Sequence, residues 1–155
     1  MNRSLLAILA LCAAFALPGA RAQATQAETS AASAPVDDAL FRALGGQPGI
    51  DRIVDDFVPR LAADRHMGEF FRTARQDHLK QMLSQKFCVV AGGPCVYTGK
   101  TMAEAHHDMD ISRADFNALV EVLQASMDAQ GVPFATQNRL LARLAPLHRE
   151  IVTEH

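Results

Sequence analysis

From residue 39 onward, the hydrophobic positions of the chain recur every three or four residues, which is the spacing of one face of an α-helix. Leu40 and Leu44 predict a short first helix that Gly45-Gly46 ends. A longer stripe predicts a second helix, and we expect Pro59 to kink it or to end it early. The members of this stripe are Ile50, Ile53, Val54, Phe57, Val58 and Leu61.

A third hydrophobic stripe lies before Gly92-Gly93-Pro94, and we expect its helix to end there. Phe70-Phe71 falls between the second and third stripes, in a segment without clear periodicity, and is expected to be irregular. The third stripe consists of Leu79, Met82, Leu83, Phe87 and Val90.

Two further helices are predicted in the last third of the chain. Ser112-x-x-Asp115 is a capping-box pattern that opens the first of them. Gly131 is suited to end it, because glycine readily adopts the left-handed conformation of a helix stop. The last helix should bend at Pro146. Its stripe contains Leu140, Leu141, Leu144, Leu147 and Ile151. Because no stretch alternates as a half-buried strand does, the predicted fold class is all-α.

The first 22 residues are predicted to be a signal peptide. Arg3 precedes an apolar run over residues 5–17, and Ala20-Arg21-Ala22 matches the small-x-small pattern that signal peptidase cleaves. The run is too short to span a bilayer comfortably, so we expect export to the periplasm and no stable membrane insertion. Residues 23–38 are mostly small and polar, which predicts a flexible linker before one folded domain over residues 39–155.

Composition and charge narrow the function classes. The 155 residues carry 15 basic and 17 acidic side chains, for a net charge of −2, and no basic run occurs. Nucleic-acid binding needs clustered Lys and Arg, so this class is excluded. Cys88 and Cys95 remain after signal cleavage. In an exported chain, with Gly-Gly-Pro between them, they indicate a local disulfide, and two buried free thiols are the alternative.

The candidate chemistry lies in residues 95–110, because long aperiodic segments in compact domains commonly carry function. His106 and His107 lie there beside Asp108 and Asp110. These residues are compatible with ordinary surface or cap positions, with a zinc or other divalent site, or with one axial ligand of a haem in an apolar pocket. Neighbouring helical side chains diverge by about 100°, which disfavours both histidines binding one ion. From the residues alone, the three interpretations stay open.

Several short segments of the chain share their order and character with one known family. They are Leu40 to Gly46 (LFRALGG), Val54 to Phe57 (VDDF), Phe70-Phe71, Gly92 to Met102 (GGPCVYTGKTM), Ala105-His106, Gly131 to Pro133 (GVP) and Leu144 to Leu147 (LAPL). Each segment is weak alone, but the set covers residues 39–152 in order. Taken together, it resembles the group I truncated haemoglobins.

The resemblance implies a two-over-two helical sandwich around haem b, in which His106 is the proximal iron ligand on a one-turn helix. It also implies that Phe71 packs on the haem face and that Lys100 lies near a haem propionate. Leu119 and Leu144 fall on helices that line the pocket. The remaining cofactor-contacting positions that the resemblance implies are Phe57, Val58, Leu79, Met82, Leu83, Phe87 and Met102.

The distal side departs from the family pattern. Val58, Leu79 and Leu83 stand where many members carry Tyr, Gln or another hydrogen-bond donor. Bound oxygen would therefore lack the usual polar stabilisation, so we expect rapid oxygen release and ready oxidation, with CO and NO less affected. Met82, or His78 if the alignment shifts by one residue, is an alternative distal ligand.

These features favour a haem protein that binds oxygen, NO or CO at a His-ligated iron. The second hypothesis is a one-electron redox or NO-detoxifying haem protein, with NO dioxygenase or peroxidase-like activity. That chemistry needs an electron donor and could use His/Met ligation. The third hypothesis is a non-haem helical interaction domain or a divalent-metal-binding domain. Fold alone does not choose among these functions.

Overall fold

Eight α-helices account for most of the part of the chain that this computed structural model describes, which is residues 37–153. No strand occurs among these residues, so the all-α prediction is confirmed. The predicted signal peptide and nearly all of the predicted linker lie outside the described residues. The helices are α1 (Ala39–Ala43), α2 (Gly46–Ala63), α3 (Gly68–Phe71), α4 (Gln76–Ala91), α5 (Met102–His106), α6 (Arg113–Ala129), α7 (Phe134–Leu144) and α8 (His148–Ile151), with a 3-10 turn, Ala145–Leu147, before α8.

The four long helices form a helical sandwich. Helix α2 packs against α4 and α6, and α7 contacts the same two helices, while α1 lies against α2, α4 and α7. Within residues 37–153, none of the helices is both long enough and apolar enough to cross a membrane. The fully buried core side chains of the sandwich include Leu40, Ile50, Ile53, Phe57, Leu61, Leu123, Met127 and Leu140.

Glycine ends two of the long helices, as the sequence predicts. Gly92 follows α4 with a φ of 84°, and Gly131 follows the end of α6 with a φ of 69°. Residues with a side chain rarely adopt this left-handed backbone conformation, whereas glycine adopts it without a steric penalty. At Gly92 there is also no room for a side chain, because an added Cβ would lie 3.1 Å from the carbonyl carbon of Asp37.

The structure differs from the expectations at three places. Helix α2 does not end early at Pro59 but continues to Ala63. Pro59 is exposed, and its missing N–H removes one hydrogen bond of a helix whose opposite face is well buried. Phe70-Phe71 is not irregular, because both residues lie in α3. Pro146 does more than bend the last helix, since it lies in the 3-10 turn that separates α7 from α8.

Helix α6 begins at the predicted capping box. The Asp115 carboxylate accepts hydrogen bonds from the Ser112 backbone N–H at 2.8 Å and from the Ser112 hydroxyl at 2.7 Å. His66, on the loop after α2, adds a contact that the sequence did not predict, with its Nε2 2.5 Å from Asp115 Oδ1. The Ser112 hydroxyl, followed by the Ser112 N–H, lowers the pKa of Asp115 below its usual value, although burial opposes the shift.

Asp115→Asn should lower the stability of the fold at neutral pH and weaken its acid dependence. Because the folded pKa of Asp115 is below its unfolded value, its charge stabilises the fold above the unfolded pKa. This contribution is lost as the pH falls through the folded pKa. At pH 7 we expect the free energy of unfolding to drop by about 1 kcal/mol, the usual size of a lost helix cap.

Urea unfolding followed by circular dichroism between neutral and strongly acidic pH would test this prediction. Asp77→Asn is the matched control, because Asp77 is exposed and lies in the first turn of α4, which begins without a side-chain cap hydrogen bond. The difference between wild type and Asp115→Asn should shrink as the solution is acidified. A difference that stays constant across the pH range would contradict the assignment.

Candidate functional site

A cavity of about 890 Å³ lies inside the helical sandwich, and hydrocarbon side chains make up most of its wall. Helices α2, α4 and α6 provide the long sides, and residues of α3, α5, α7 and α8 complete the wall. This volume is within the range of small-molecule and cofactor sites, which are typically about 300–1,000 Å³ and mostly apolar. The cavity is therefore large enough for a bulky hydrophobic ligand.

His106 is the last residue of α5 and lines this cavity. The helix is held at its start by a capping box, in which the Glu104 N–H donates to the Thr101 hydroxyl and the Glu104 carboxylate accepts from Thr101. The Thr101 hydroxyl is the main cause of a lowered Glu104 pKa. The Nδ1 of His106 lies 2.7 Å from the carbonyl oxygen of Met102, so that Nδ1–H donates to it. This leaves Nε2 as the nitrogen with a free lone pair.

The other polar residues of the His106 loop lie away from the cavity. His107 is exposed and contacts Asp108 at 2.7 Å, and neither side chain lines the cavity. Asp110 is exposed as well. Among residues 37–153, no group of three or more His, Cys, Asp or Glu side chains is arranged to hold a metal ion. The described structure therefore offers no divalent site around His106 and His107.

The structure brings most of the expected cofactor-contacting residues together around the cavity. Val58 is the exception, because it is fully buried in the helical core but does not line the cavity, whereas its neighbour Phe57 does. Adjacent residues on a helix point about 100° apart, and on α2 this turns Val58 into the core and Phe57 toward the cavity. The expected residues that line the cavity are Phe57, Phe71, Leu79, Met82, Leu83, Phe87, Lys100, Met102, Leu119 and Leu144.

The two alternative distal residues, Met82 and His78, both lie on the α4 side of the cavity. A Cβ added to Gly99 would lie 2.9 Å from Met82 Sδ, so this glycine lets the loop before α5 approach the methionine closely. Met82 is thus a packing partner of that loop. His78 is an exposed residue on the cavity wall.

Basic side chains and a tyrosine border the cavity between α4 and the loop before α5. Lys86 Nζ lies 3.8 Å from the centre of the Tyr97 ring, and burial raises the pKa of the Tyr97 hydroxyl. Arg75 and Lys100 also line the cavity. Sequence reasoning named Lys100 but missed Lys86 and Tyr97. The spacing contained a signal, because Lys86 follows Met82 by one helical turn and so lies on the same face of α4.

Cys88 and Cys95 connect α4 to the loop that borders the cavity. Their sulfur atoms lie at bonding distance, and their Cα atoms are 6.0 Å apart. Cys88 is completely buried, and Cys95 lies two residues before Tyr97. Any bond between them would therefore fix the loop against the end of α4.

Comparison with known proteins gives consistent matches. The family model for the bacterial-like globin family matches residues 39–153. A group 1 truncated hemoglobin from Mycolicibacterium paratuberculosis is 31% identical over 114 residues, which cover 74% of this chain and 84% of that protein. One from Synechocystis sp. is 36% identical over 100 residues, which cover 61% and 79%.

A solved structure shows the same arrangement of helices. The truncated hemoglobin from Tetrahymena pyriformis, in its Fe(III) form, aligns with a TM-score of 0.71 at 27% identity, over 73% of this chain and 97% of that one. The two-over-two helical sandwich that the resemblance implies is therefore confirmed. The chain belongs to the bacterial-like globin family, as a group 1 truncated haemoglobin.

Proposed function

We propose that His106 would hold the iron of haem b in this chain and that the iron would bind a diatomic gas, such as oxygen, NO or CO. The orientation of the His106 ring carries this proposal. Its Nδ1 is held by the Met102 carbonyl, so Nε2 is the nitrogen available to a metal, at the wall of an apolar cavity of about 890 Å³. Globins use haem, and the large cavity, the His106 imidazole on its wall and the basic border fit that group.

Bound haem supplies an iron that coordinates a diatomic ligand. The hydrogen bond from His106 Nδ1–H to the Met102 carbonyl fixes the ring orientation and the tautomer in which Nε2 carries the lone pair. Apolar side chains such as Phe71 and Leu119 exclude water from the cavity. Lys86 and Lys100 offer positive charges to the carboxylates of haem b.

His106→Ala should abolish or strongly change the intense Soret absorption that the wild-type chain gains when hemin is added. His107→Ala is a matched control, because the neighbouring imidazole is exposed and does not line the cavity. His107→Ala should leave the spectrum unchanged, because it removes neither the proposed iron ligand nor a side chain that lines the cavity. Absorption spectra of the ferric, ferrous and CO-bound forms provide the measurement. A normal spectrum in His106→Ala would contradict the proposal.

The α4 wall of the cavity presents hydrocarbon at the expected distal positions. Leu79 and Leu83 both line the cavity, and neither side chain has a hydrogen-bond donor. A charge-assisted hydrogen bond to bound oxygen is typically worth about 1.5–3 kcal/mol, and these two residues cannot supply it. We therefore infer weak retention of oxygen and ready oxidation of the ferrous form, with smaller effects on CO and NO.

Leu79→Gln should slow oxygen dissociation by about tenfold, because it adds an amide donor worth on the order of 1.4 kcal/mol. Leu79→Met is the matched control, since it keeps a similar volume without a strong donor, and it should leave the rate near that of wild type. Stopped-flow displacement of oxygen by CO measures the rate. Slow release from the wild-type chain, or no effect of the glutamine, would be the opposing result.

One-electron or NO-detoxifying chemistry is the second candidate. It rests on the position of Met82 on the cavity wall, from which a thioether could ligate iron and raise its potential. We rank it below gas binding, because Met82 already packs beneath the loop at Gly99 and because such chemistry needs an external electron donor.

We further propose that residues 1–22 direct export to the periplasm and that Cys88 and Cys95 form a disulfide there. The apolar run after Arg3 and the Ala20-Arg21-Ala22 site support export. The Cα separation of 6.0 Å supports the bond, because it falls within the usual 4.4–6.8 Å range for disulfides.

Protein recovered from the periplasm should begin at Gln23 and be lighter than the reduced chain by two hydrogen atoms. An exported protein meets an oxidising compartment, in which nearby cysteines pair. Intact mass spectrometry before and after reduction, with Cys88→Ser as the control that cannot pair, makes the measurement. Full-length protein confined to the cytosol, or two free thiols in the exported chain, would contradict these assignments.

A further inference from the structure

The helix that carries His106 is short and must be positioned by its surroundings. Helix α5 has five residues, and the helix that it packs against is α8, close to the end of the described chain. Its first turn is fixed by the capping box at Thr101. After His106, the Met109 N–H donates to the His106 carbonyl at 3.3 Å, so the position of the imidazole also depends on what holds the segment that contains Met109.

Two residues of the segment after His106 have a backbone conformation that is unfavourable for residues other than glycine. Asp108 and Asp110 have φ angles of 62° and 50°, in the left-handed region that non-glycine residues occupy at a cost. Such conformations persist where the surrounding structure imposes them. The structure that meets this segment is the C-terminal end of the described chain.

Ile111 and Thr153 join that end to the His106 segment by two hydrogen bonds. The Ile111 N–H donates to the Thr153 hydroxyl at 3.0 Å, and the Thr153 N–H donates to the Ile111 carbonyl at 3.0 Å. Ile111 is buried. It lines the cavity together with Met109, which precedes it, and Ile151 of α8. The same C-terminal segment therefore contacts α5, forms part of the cavity wall and holds the backbone that follows His106.

We propose that Thr153 is a positioning residue for His106, which it orients through Ile111. This inference rests on the proposed haem ligation by His106. The Thr153 hydroxyl accepts a hydrogen bond from the Ile111 N–H, and the two reciprocal bonds keep Asp108 and Asp110 in their left-handed conformation. The imidazole is then held in one orientation at the cavity wall, from which it would ligate the iron. Loss of the hydroxyl leaves the second bond in place, so the segment loosens without unfolding the domain.

Thr153→Val, Thr153→Ser and wild type should be compared in the full chain. Valine keeps the side-chain shape but removes the acceptor, whereas serine retains it. In the haem-free chain, Thr153→Val should speed amide hydrogen exchange at Ile111 about fivefold, the effect of a typical hydrogen bond of about 1 kcal/mol. In the ferrous haem-loaded chain, it should shift or broaden the iron–histidine stretching band in resonance Raman spectra, and Thr153→Ser should restore that band.

Thr73→Val is the control, because Thr73 is exposed and does not line the cavity. An unchanged iron–histidine band in a folded Thr153→Val chain that binds haem would overturn the positioning role alone. An equal change of the band in Thr153→Val and Thr153→Ser would also overturn the positioning role, because serine keeps the hydroxyl that accepts the Ile111 N–H. A wild-type chain that binds no haem would overturn the proposed function and, with it, the positioning role. Amide exchange at Ile111 that is no faster in haem-free Thr153→Val than in wild type would overturn the contribution of the Thr153 hydrogen bond.

Discussion

The proposed haem binding depends on one hydrogen bond, which His106 Nδ1–H donates to the carbonyl oxygen of Met102. It lies within a single turn of α5, so it joins residues that are close in sequence. Its consequence is chemical, because a histidine that donates from Nδ1 presents the lone pair of Nε2. At the wall of an apolar cavity, that lone pair would be available to the iron of a bound haem. The same ring exposed to water would have no such preference.

The rest of the domain maintains the conditions under which this bond matters. The buried faces of α2, α4 and α6 enclose the cavity, and the capping boxes at Thr101 and Ser112 fix the helices on either side of the His106 loop. The Asp115 carboxylate connects one of these boxes to His66, and Thr153 connects the far end of the loop to the C-terminal segment. Helix α5 is thus held at its start by a local cap, and the loop after it is held by contacts between residues that are distant in sequence.

Local physics made much of the fold predictable. The hydrophobic stripes of α2, α4 and α6 were visible as periodicity, and Gly92 and Gly131 marked helix ends because their backbone requires glycine. Pro59 misled the prediction, since a proline on the exposed side of a well-packed helix does not stop it. Phe70-Phe71 carried too short a pattern to reveal one helical turn.

The cavity was less predictable because it depends on which side chains meet in space. Family resemblance placed His106, Phe57 and most other wall residues at the cavity, yet it also put Val58 there, which the structure buries in the core instead. Three contacts near the cavity link residues that are well separated along the chain. They are Lys86 on Tyr97, His66 with Asp115, and Ile111 with Thr153. No periodicity records such contacts. They depend on the packing of loops that the sequence pattern left undefined.

A crystal structure of the haem-loaded chain tests the central claim most directly, because it shows which atom binds the iron. The account predicts iron bound to Nε2 of His106, with Nδ1 still within hydrogen-bond distance of the Met102 carbonyl oxygen. Iron bound through Nδ1, iron held by another residue, or a haem seated outside the cavity would contradict it.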